Sequence, residues 1–165
     1  MTITQTQIDR ILVALNESDR GAIIVCASVL EDFIQEEFLP EKPKFNFDQK
    51  IAPLKKHFVQ NDIVDFLERI RVLRNKVAHS SNIFSLVAAG QIFSNNLVSK
   101  CEKKEVYKVI NQAVSALPIY QQIARDANLA RWLELCCVTL TILAYMEAAN
   151  TLRKQLTANA IAKFE

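Results

Sequence analysis

Glycine and proline are scarce in this chain, which has two Gly and four Pro among 165 residues. Because these residues specify turns and interrupt helices, their scarcity favours a few long helices over a many-stranded sheet. A glycine-rich phosphate loop is also lacking, which argues against an ATPase or a Rossmann enzyme. The composition therefore predicts an all-α protein.

A strong excess of charge of either sign is lacking as well. The chain has 20 Lys and Arg against 18 Asp and Glu, a formal net charge of +2. Bulk electrostatics of this size do not indicate nucleic-acid binding, so any such binding must depend on a local patch. Half of the residues are hydrophobic, as in an ordinary soluble globule, and we expect one domain over residues 1–165.

The four cysteines form no C-x-x-C pair. Cys26, Cys136 and Cys137 lie in apolar surroundings and are interpreted as reduced core residues, whereas Cys101 lies among lysines. The N-terminal residues are polar and contain no signal-peptide core. The longest uncharged apolar stretch, Leu135–Met146, is too short to span a bilayer. We therefore expect a cytoplasmic protein without a membrane partner.

Hydrophobic spacings of three and four predict the helices. They are expected over residues 4–16, 20–39, 62–79, from about 103, and 128–156. Pro40 and Pro43 mark a loop, after which Asp48 is expected to cap a short helix. Within residues 83–100 the pattern suggests a short helix that Gly90 interrupts, and short helical or extended pieces are both open for the remainder. The expected architecture is a bundle of long antiparallel helices.

The hydrophobic pattern also predicts which side of each helix faces the core. In the helix over residues 20–39 the inward residues are expected to be Ile23, Ile24, Ala27, Leu30, Ile34 and Phe38. In the helix from about 103 they are expected to be Val106, Val109, Ile110, Ala113 and Leu117. The last helix is apolar nearly all round, which fits either the centre of the bundle or a subunit interface.

The stretch from Phe66 to His79 combines an apolar helical stripe with a dense basic face. One helical turn separates Asn75 from His79, so the two share a face, and Arg71 lies one turn earlier. Arg74 follows on the adjacent stripe. A guanidinium, an amide and an imidazole are therefore expected to converge at the end of this helix.

These three side chains suit phosphodiester cleavage without a metal. Arg74 would bind the phosphate, and Asn75 would orient the ring or donate to a phosphate oxygen. His79 would carry protons to or from a 2′-hydroxyl or a 5′-oxygen, since an ordinary imidazole titrates near neutral pH. The alternative interpretation is a solvated basic face, with His79 stabilised by the helix dipole.

The sequence Arg-Asn-Lys-Val-Ala-His at residues 74–79 resembles the R-x4-6-H signature of the HEPN superfamily. This resemblance implies a small helical bundle, often a metal-independent RNase of toxin–antitoxin or defence systems, whose dimer brings two motifs into one composite site. It implies Arg74 and His79 as catalytic residues and Asn75 as a supporting one. Ser80 to Ile83 contain no Tyr, so the modification typical of HEPN toxins paired with nucleotidyltransferases is not expected.

A second resemblance spans roughly residues 17–79. Glu-Ser-Asp-Arg-Gly-Ala at 17–22, Leu-Glu-Asp at 30–32, Phe-Asp-Gln-Lys-Ile at 47–51 and the stretch 70–79 are similar to the mannitol operon repressor-like family. That family implies a helical regulator without a familiar DNA-binding motif. No helix-turn-helix is evident in this chain, which argues against direct reading of the major groove.

Other polar residues outside the motif allow both a functional and a structural interpretation. His57 follows Lys55 and Lys56 and would extend a phosphate-binding surface, although a solvated face is the simpler interpretation. Glu31 and Asp32 could pair with Arg71 or Arg74 across the bundle. With two histidines and no cysteine or carboxylate near them at ligand spacing, no metal or other cofactor is expected.

The leading hypothesis is a HEPN-like homodimer that cleaves RNA, in a toxin or defence context. Arg74, Asn75 and His79 would be catalytic, and Arg71 and Lys76 would bind RNA phosphates. The alternative is a non-catalytic transcriptional regulator or interaction protein of the mannitol repressor-like family, with an antitoxin or regulatory protein as partner. A third hypothesis is that the motif only binds nucleotide or RNA.

Overall fold

The computed structural model of the chain describes residues 9–11, 19–41, 46–57, 59–79, 103–116 and 127–162. Every regular element within these residues is helical, which confirms the expected all-α fold. The helices are α1 (Asp19–Phe38), α2 (Phe47–Ile51), a 3-10 helix (Ala52–Lys56), α3 (Asn61–His79), α4 (Glu105–Ser115) and α5 (Ala127–Ile161). Of the first predicted helix only residues 9–11 are described, and residues 83–100 lie outside the described part.

The long helices are arranged by a few contacts between their ends. Arg20 at the start of α1 donates to the carbonyl oxygen of Val77 near the end of α3, so these two helices are antiparallel. Lys104 at the start of α4 stacks on Tyr145, and Cys137, earlier in α5, donates to Asn111, later in α4, so α4 is antiparallel to α5. Cys26 of α1 hydrogen-bonds Cys136 of α5, and Glu37 contacts Asn150 further along both helices, so α1 and α5 run in the same direction. The predicted antiparallel arrangement therefore holds for two of these three pairs.

α5 is the central helix of the bundle. It packs against α1, α3 and α4, and all its residues from Leu135 to Ala144 are buried. The segment Leu135–Ile161 is long and apolar enough to cross a membrane by length and composition, but 72% of the window that passes this test is buried inside the protein. Burial of that extent is typical of a core helix, which favours the first of the two sequence interpretations of α5.

α1 is buried around most of its circumference, because α3 and α5 both pack on it. The predicted stripe is confirmed except at Ile24, which is 36% exposed. Cys26, Val29 and Phe33 are buried instead on the flank next to the stripe. A helix with two neighbours needs a wider apolar face than spacing of three and four alone indicates.

The predicted inward face of α4 is wrong by part of a turn. Val109 is 64% exposed and Ala113 is exposed, whereas Tyr107, Ile110 and Val114 are buried. The sequence prediction did not include Tyr107 among the inward residues. Its ring packs in the core instead, and this rotates the buried face of α4 toward α5.

The short helix α2 begins differently from the prediction. Asn46, not Asp48, is its N-cap: the Asn46 side chain accepts from the amide of Gln49, whose own side chain accepts from the amide of Asn46. This reciprocal pair is a capping box. Pro53 lies in the first turn of the 3-10 helix, where its missing amide hydrogen leaves no hydrogen bond unmade.

Candidate functional site at the carboxyl end of α3

α3 forms because its apolar residues repeat at helical spacing and are buried. The stripe predicted from the sequence is confirmed at Ile63, Phe66, Leu67, Ile70, Leu73 and Val77, each at most 1% exposed. The helix begins at Asn61 rather than after Asp62, and Asp62 Oδ1 accepts from the amide of Ile63 within the first turn. Its last residue is His79, as the sequence predicts.

The two residues that open the basic motif are in contact. Arg74 Nη1 donates to Asn75 Oδ1 at 3.3 Å, and both side chains are half-buried. His79 is exposed at the end of the helix, and so is Lys76. Among the described residues no carboxylate pairs with Arg74, Lys76 or His79. The last two turns of α3 thus carry a guanidinium, an ammonium group and an imidazole, none of which has a carboxylate partner among the described residues.

Arg71 differs from these residues because it already has anionic partners. Its Nε lies 2.7 Å from Glu68 Oε2 and 3.5 Å from Asp48 Oδ1. The hydrogen bond to Glu68, reinforced by the charges of Glu68 and Asp48, raises the pKa of Arg71. The sequence placed Arg71 among the phosphate-binding residues, but much of its charge is offset within the protein.

The acidic residues expected near the motif lie elsewhere. Glu31 contacts Lys50 at 3.1 Å and Asp32 contacts Arg10 at 2.9 Å. Neither carboxylate reaches Arg71 or Arg74 in a described contact, so that prediction is wrong. The reason is geometric: Arg20 contacts the end of α3, and Glu31 and Asp32 lie about three turns further along the antiparallel α1.

Arg20 is a residue of this site that sequence reasoning missed. Its Nε and Nη2 both donate to the carbonyl oxygen of Val77, at 2.9 and 2.6 Å. Val77 is two residues before His79, so Arg20 contacts the last turn of α3. Residues 57 positions apart share no periodicity that would predict this contact. The sequence pointed to Arg20 only through the resemblance to the mannitol operon repressor-like family. The segments that carry this resemblance include residues 17–22, with Arg20, and residues 70–79, with the motif.

His57 does not extend the candidate site. Its ring centroid lies 5.9 Å from that of Phe38, at the far end of α1 from Arg20. α3 has 19 residues, so about 27 Å separates its two ends at a rise of about 1.5 Å per residue. Burial, helped by the charges of Arg153 and Lys56, lowers the pKa of His57. His57 and His79 therefore lie at opposite ends of the bundle.

The cysteines behave as core residues. Cys26, Cys136 and Cys137 are free and buried, which confirms their sequence interpretation. The hydrogen bond between Cys136 and Cys26, together with burial, raises the pKa of the Cys136 thiol. No group of three or more His, Cys, Asp or Glu that could hold a metal occurs among the described residues.

Comparison with known proteins adds one finding. Searches against curated proteins and against solved structures find no match. The model of a family described as a domain of unknown function (DUF4145) matches residues 9–126, which is more than half of the chain. The matched range contains the whole candidate site and ends immediately before α5. The chain therefore belongs to the DUF4145 family.

Proposed function

We propose that this protein is a HEPN-like, metal-independent endoribonuclease that acts as a homodimer, with Arg74, Asn75 and His79 at its site. The observation that carries the proposal is the arrangement at the end of α3. Arg74 hydrogen-bonds Asn75 instead of a carboxylate, and the exposed imidazole of His79 ends the same helix. A guanidinium with no carboxylate partner among the described residues, on the same helix end as an exposed imidazole, is suited to binding and cleaving a phosphodiester.

Each side chain has a specific part in the proposed reaction. Arg74 binds the phosphate and offsets the charge that develops on it. The hydrogen bond from Arg74 orients the Oδ1 of Asn75 toward the guanidinium, which leaves the amide NH2 group to donate to a phosphate oxygen. Lys76 adds an exposed cation for the neighbouring phosphate. We assign Arg71 a supporting part, because Glu68 and Asp48 already contact it.

The reaction requires two proton transfers. The 2′-oxygen attacks phosphorus while its proton passes to an imidazole, and the bond from phosphorus to the 5′-oxygen breaks as that oxygen receives a proton. The products are a 2′,3′-cyclic phosphate and a free 5′-hydroxyl. One imidazole cannot act as base and acid in the same step, and His79 is the only histidine of the chain at this end of the bundle. A second copy of the chain would supply the other imidazole, which is the reason for proposing a dimer.

The test is RNA cleavage in EDTA. We expect wild-type protein to cleave, and the variants His79→Ala and Arg74→Ala to lose about a hundredfold or more of the rate. Arg10→Ala is the matched control, because it removes an exposed guanidinium that is already paired with Asp32. Loss of cleavage through EDTA alone, or equal rates in all variants, would contradict the mechanism.

The dimer has a separate test. Light scattering on the eluting protein is expected to give the mass of two chains. A monomer that cleaves RNA at full rate would contradict the two-imidazole mechanism even if the site itself were correct.

The second candidate function is a regulatory or interaction protein of the mannitol repressor-like kind, located like the first in the cytoplasm. It is favoured by one observation: the exposed ring of His79 has no hydrogen-bond partner among the described residues, whereas a catalytic base is usually held by such a bond. This candidate predicts that RNA is not cleaved, and that pull-down recovers an antitoxin, a regulatory protein or an operator fragment.

A further inference from the structure

The contact between Arg20 and Val77 joins two helices at the candidate site. The last four carbonyl groups of a helix have no partner within that helix, and Val77 contributes one of them. Arg20 supplies two donors to this carbonyl, at 2.9 and 2.6 Å. Its positive charge also lies at the negative end of the dipole of α3. The contact therefore stabilises the last turn in two ways.

Among the described residues, side-chain packing adds little to the last turn of α3. Val77 is its last buried residue, and the side chains of Ala78 and His79 are both exposed. Packing therefore does not keep the backbone helical beyond Val77. Asn75 and His79 share a face only if the helix continues to His79, because that alignment requires a full turn. The position of His79 thus depends on hydrogen bonds to the end of α3.

We propose that Arg20 is a positioning residue, which keeps the last turn of α3 helical and so holds His79 on the same face as Asn75. The inference that this affects RNA cleavage rests on the proposed function. The inference about the helix end does not. Arg20 touches neither RNA nor a reacting atom in this scheme and acts through the backbone of Val77.

The chain contains a matched control for Arg20. Arg153 of α5 donates from Nη2 to the carbonyl oxygen of Glu37 at 2.8 Å, near the carboxyl end of α1. The two arginines therefore make the same kind of contact, a guanidinium bound to a carbonyl of a helix end. Arg153 lies at the end of the bundle that holds His57, far from His79. Arg153→Gln removes an equivalent bond without touching the candidate site.

The experiment compares Arg20→Gln, Arg20→Lys and Arg153→Gln in the full chain. Amide hydrogen exchange measured by NMR is expected to speed up about tenfold at the last turn of α3 in Arg20→Gln, as loss of a charge-assisted hydrogen bond implies. Arg20→Lys keeps one donor and should recover part of the protection. Arg153→Gln should leave this turn unchanged and alter the end of α1 instead.

RNA cleavage provides the second readout. Arg20→Gln should lower kcat by about tenfold or more with a smaller change in KM, because a displaced imidazole impairs proton transfer more than binding. Arg153→Gln should keep the wild-type kcat even if it lowers the melting temperature equally. A general loss of stability would affect both variants alike, so this split separates positioning from a merely structural role.

The outcomes distinguish this inference from the proposed function. Unchanged exchange at the last turn in Arg20→Gln overturns the inference, whatever the wild-type protein does to RNA. Equal loss of kcat in Arg20→Gln and Arg153→Gln also overturns it. If the wild-type protein cleaves no RNA, the proposed function fails, and the exchange data still decide whether Arg20 holds the turn. Should Arg20→Gln fail to fold, Arg20→Lys carries the same comparison.

Discussion

Among single residues, Lys50 and Glu31 form an ion pair that is largely buried from solvent. Lys50 is only 5% exposed, and its Nζ lies 3.1 Å from Glu31 Oε1. A buried ammonium group is costly unless a carboxylate offsets it. The pair links α1 to the short helix α2 and so fixes where the chain returns to the bundle. Sequence spacing did not predict it.

The first prediction concerns this pair. Glu31→Ala should lower the free energy of unfolding by about 2–4 kcal/mol, because it leaves the Lys50 charge buried without its partner. The neighbouring change Asp32→Ala breaks only the exposed pair with Arg10 and should cost less than about 1 kcal/mol. Urea unfolding of both variants measures the difference.

An additional variant tests the cause of the predicted loss. Replacing both partners with apolar residues, Glu31→Leu together with Lys50→Met, should recover most of the stability, since no buried charge remains. If Glu31→Ala and Asp32→Ala proved equally stable, a buried Lys50 without its partner would not destabilise the folded protein, and the prediction would be wrong.

The second prediction is a pH dependence that arises at His57. Burial lowers its pKa below the usual value of 6.5, with a further contribution from Arg153 and Lys56. The folded protein therefore binds this proton less readily than the unfolded chain does. The stability that results is present above pH 6.5 and is lost as the pH falls below that value.

Two measurements check this dependence. The His57 resonance should titrate below pH 6.5 in NMR. The free energy of unfolding, measured with urea, should fall as the pH is lowered from about 7 to about 5. In His57→Gln that loss should shrink, whereas His79→Gln, which leaves His57 in place, should retain it. An unchanged slope in His57→Gln would show that another group causes the effect.

At the scale of elements, the helices differ in how well sequence periodicity predicted them. The bounds of α1 and α3 and the buried stripe of α3 agree with the predictions, because α3 has a single wide apolar stripe opposite a charged face. The inward face of α4 was predicted wrongly, because only the part of its apolar side that carries Tyr107, Ile110 and Val114 is buried. Spacing alone does not show which part of a wide apolar face meets α5, whereas packing against α5 does.

The third prediction tests this face of α4. Ile110 is 7% exposed and Val109, its neighbour, is 64% exposed. Ile110→Ala should lower the free energy of unfolding by about 2–4 kcal/mol. Val109→Ala should change it by about 0.5 kcal/mol or less, because an exposed site loses little packing. Thermal melts compare the two variants. A larger loss of stability in Val109→Ala than in Ile110→Ala would support the inward face that the sequence pattern predicted.

At the scale of the whole molecule, the main fact is that α5 completes the core. The family match covers residues 9–126, yet the buried residues between Leu135 and Ala149 belong to α5. α1, α3 and α4 all pack against this helix. The matched range alone would expose the apolar surfaces that α5 covers. In this protein, the family domain therefore depends on a helix outside the matched range.

The fourth prediction follows from that dependence. A chain ending at residue 126 should show no cooperative thermal transition and should bind an apolar dye, because its core surfaces are exposed. A chain ending at Asn150 keeps the buried part of α5 and should melt cooperatively at a lower temperature, having lost the contacts of Arg153 and Lys154 with Glu37. Circular dichroism measures both. A cooperative transition in the shorter chain would contradict the central role of α5.

The sequence by itself determined the all-α class, the bounds of α1 and α3, and the presence of Arg74, Asn75 and His79 at a helix end. These features follow from residues within about one turn of each other, where helical periodicity is informative. The tertiary structure decided which charges are offset, which face of α4 is buried, and that Arg20 donates to a carbonyl in the last turn of α3. Apart from the pair of Arg71 with Glu68 on one helix, these features depend on contacts between residues far apart in the chain, and only packing of the helices brings such residues together.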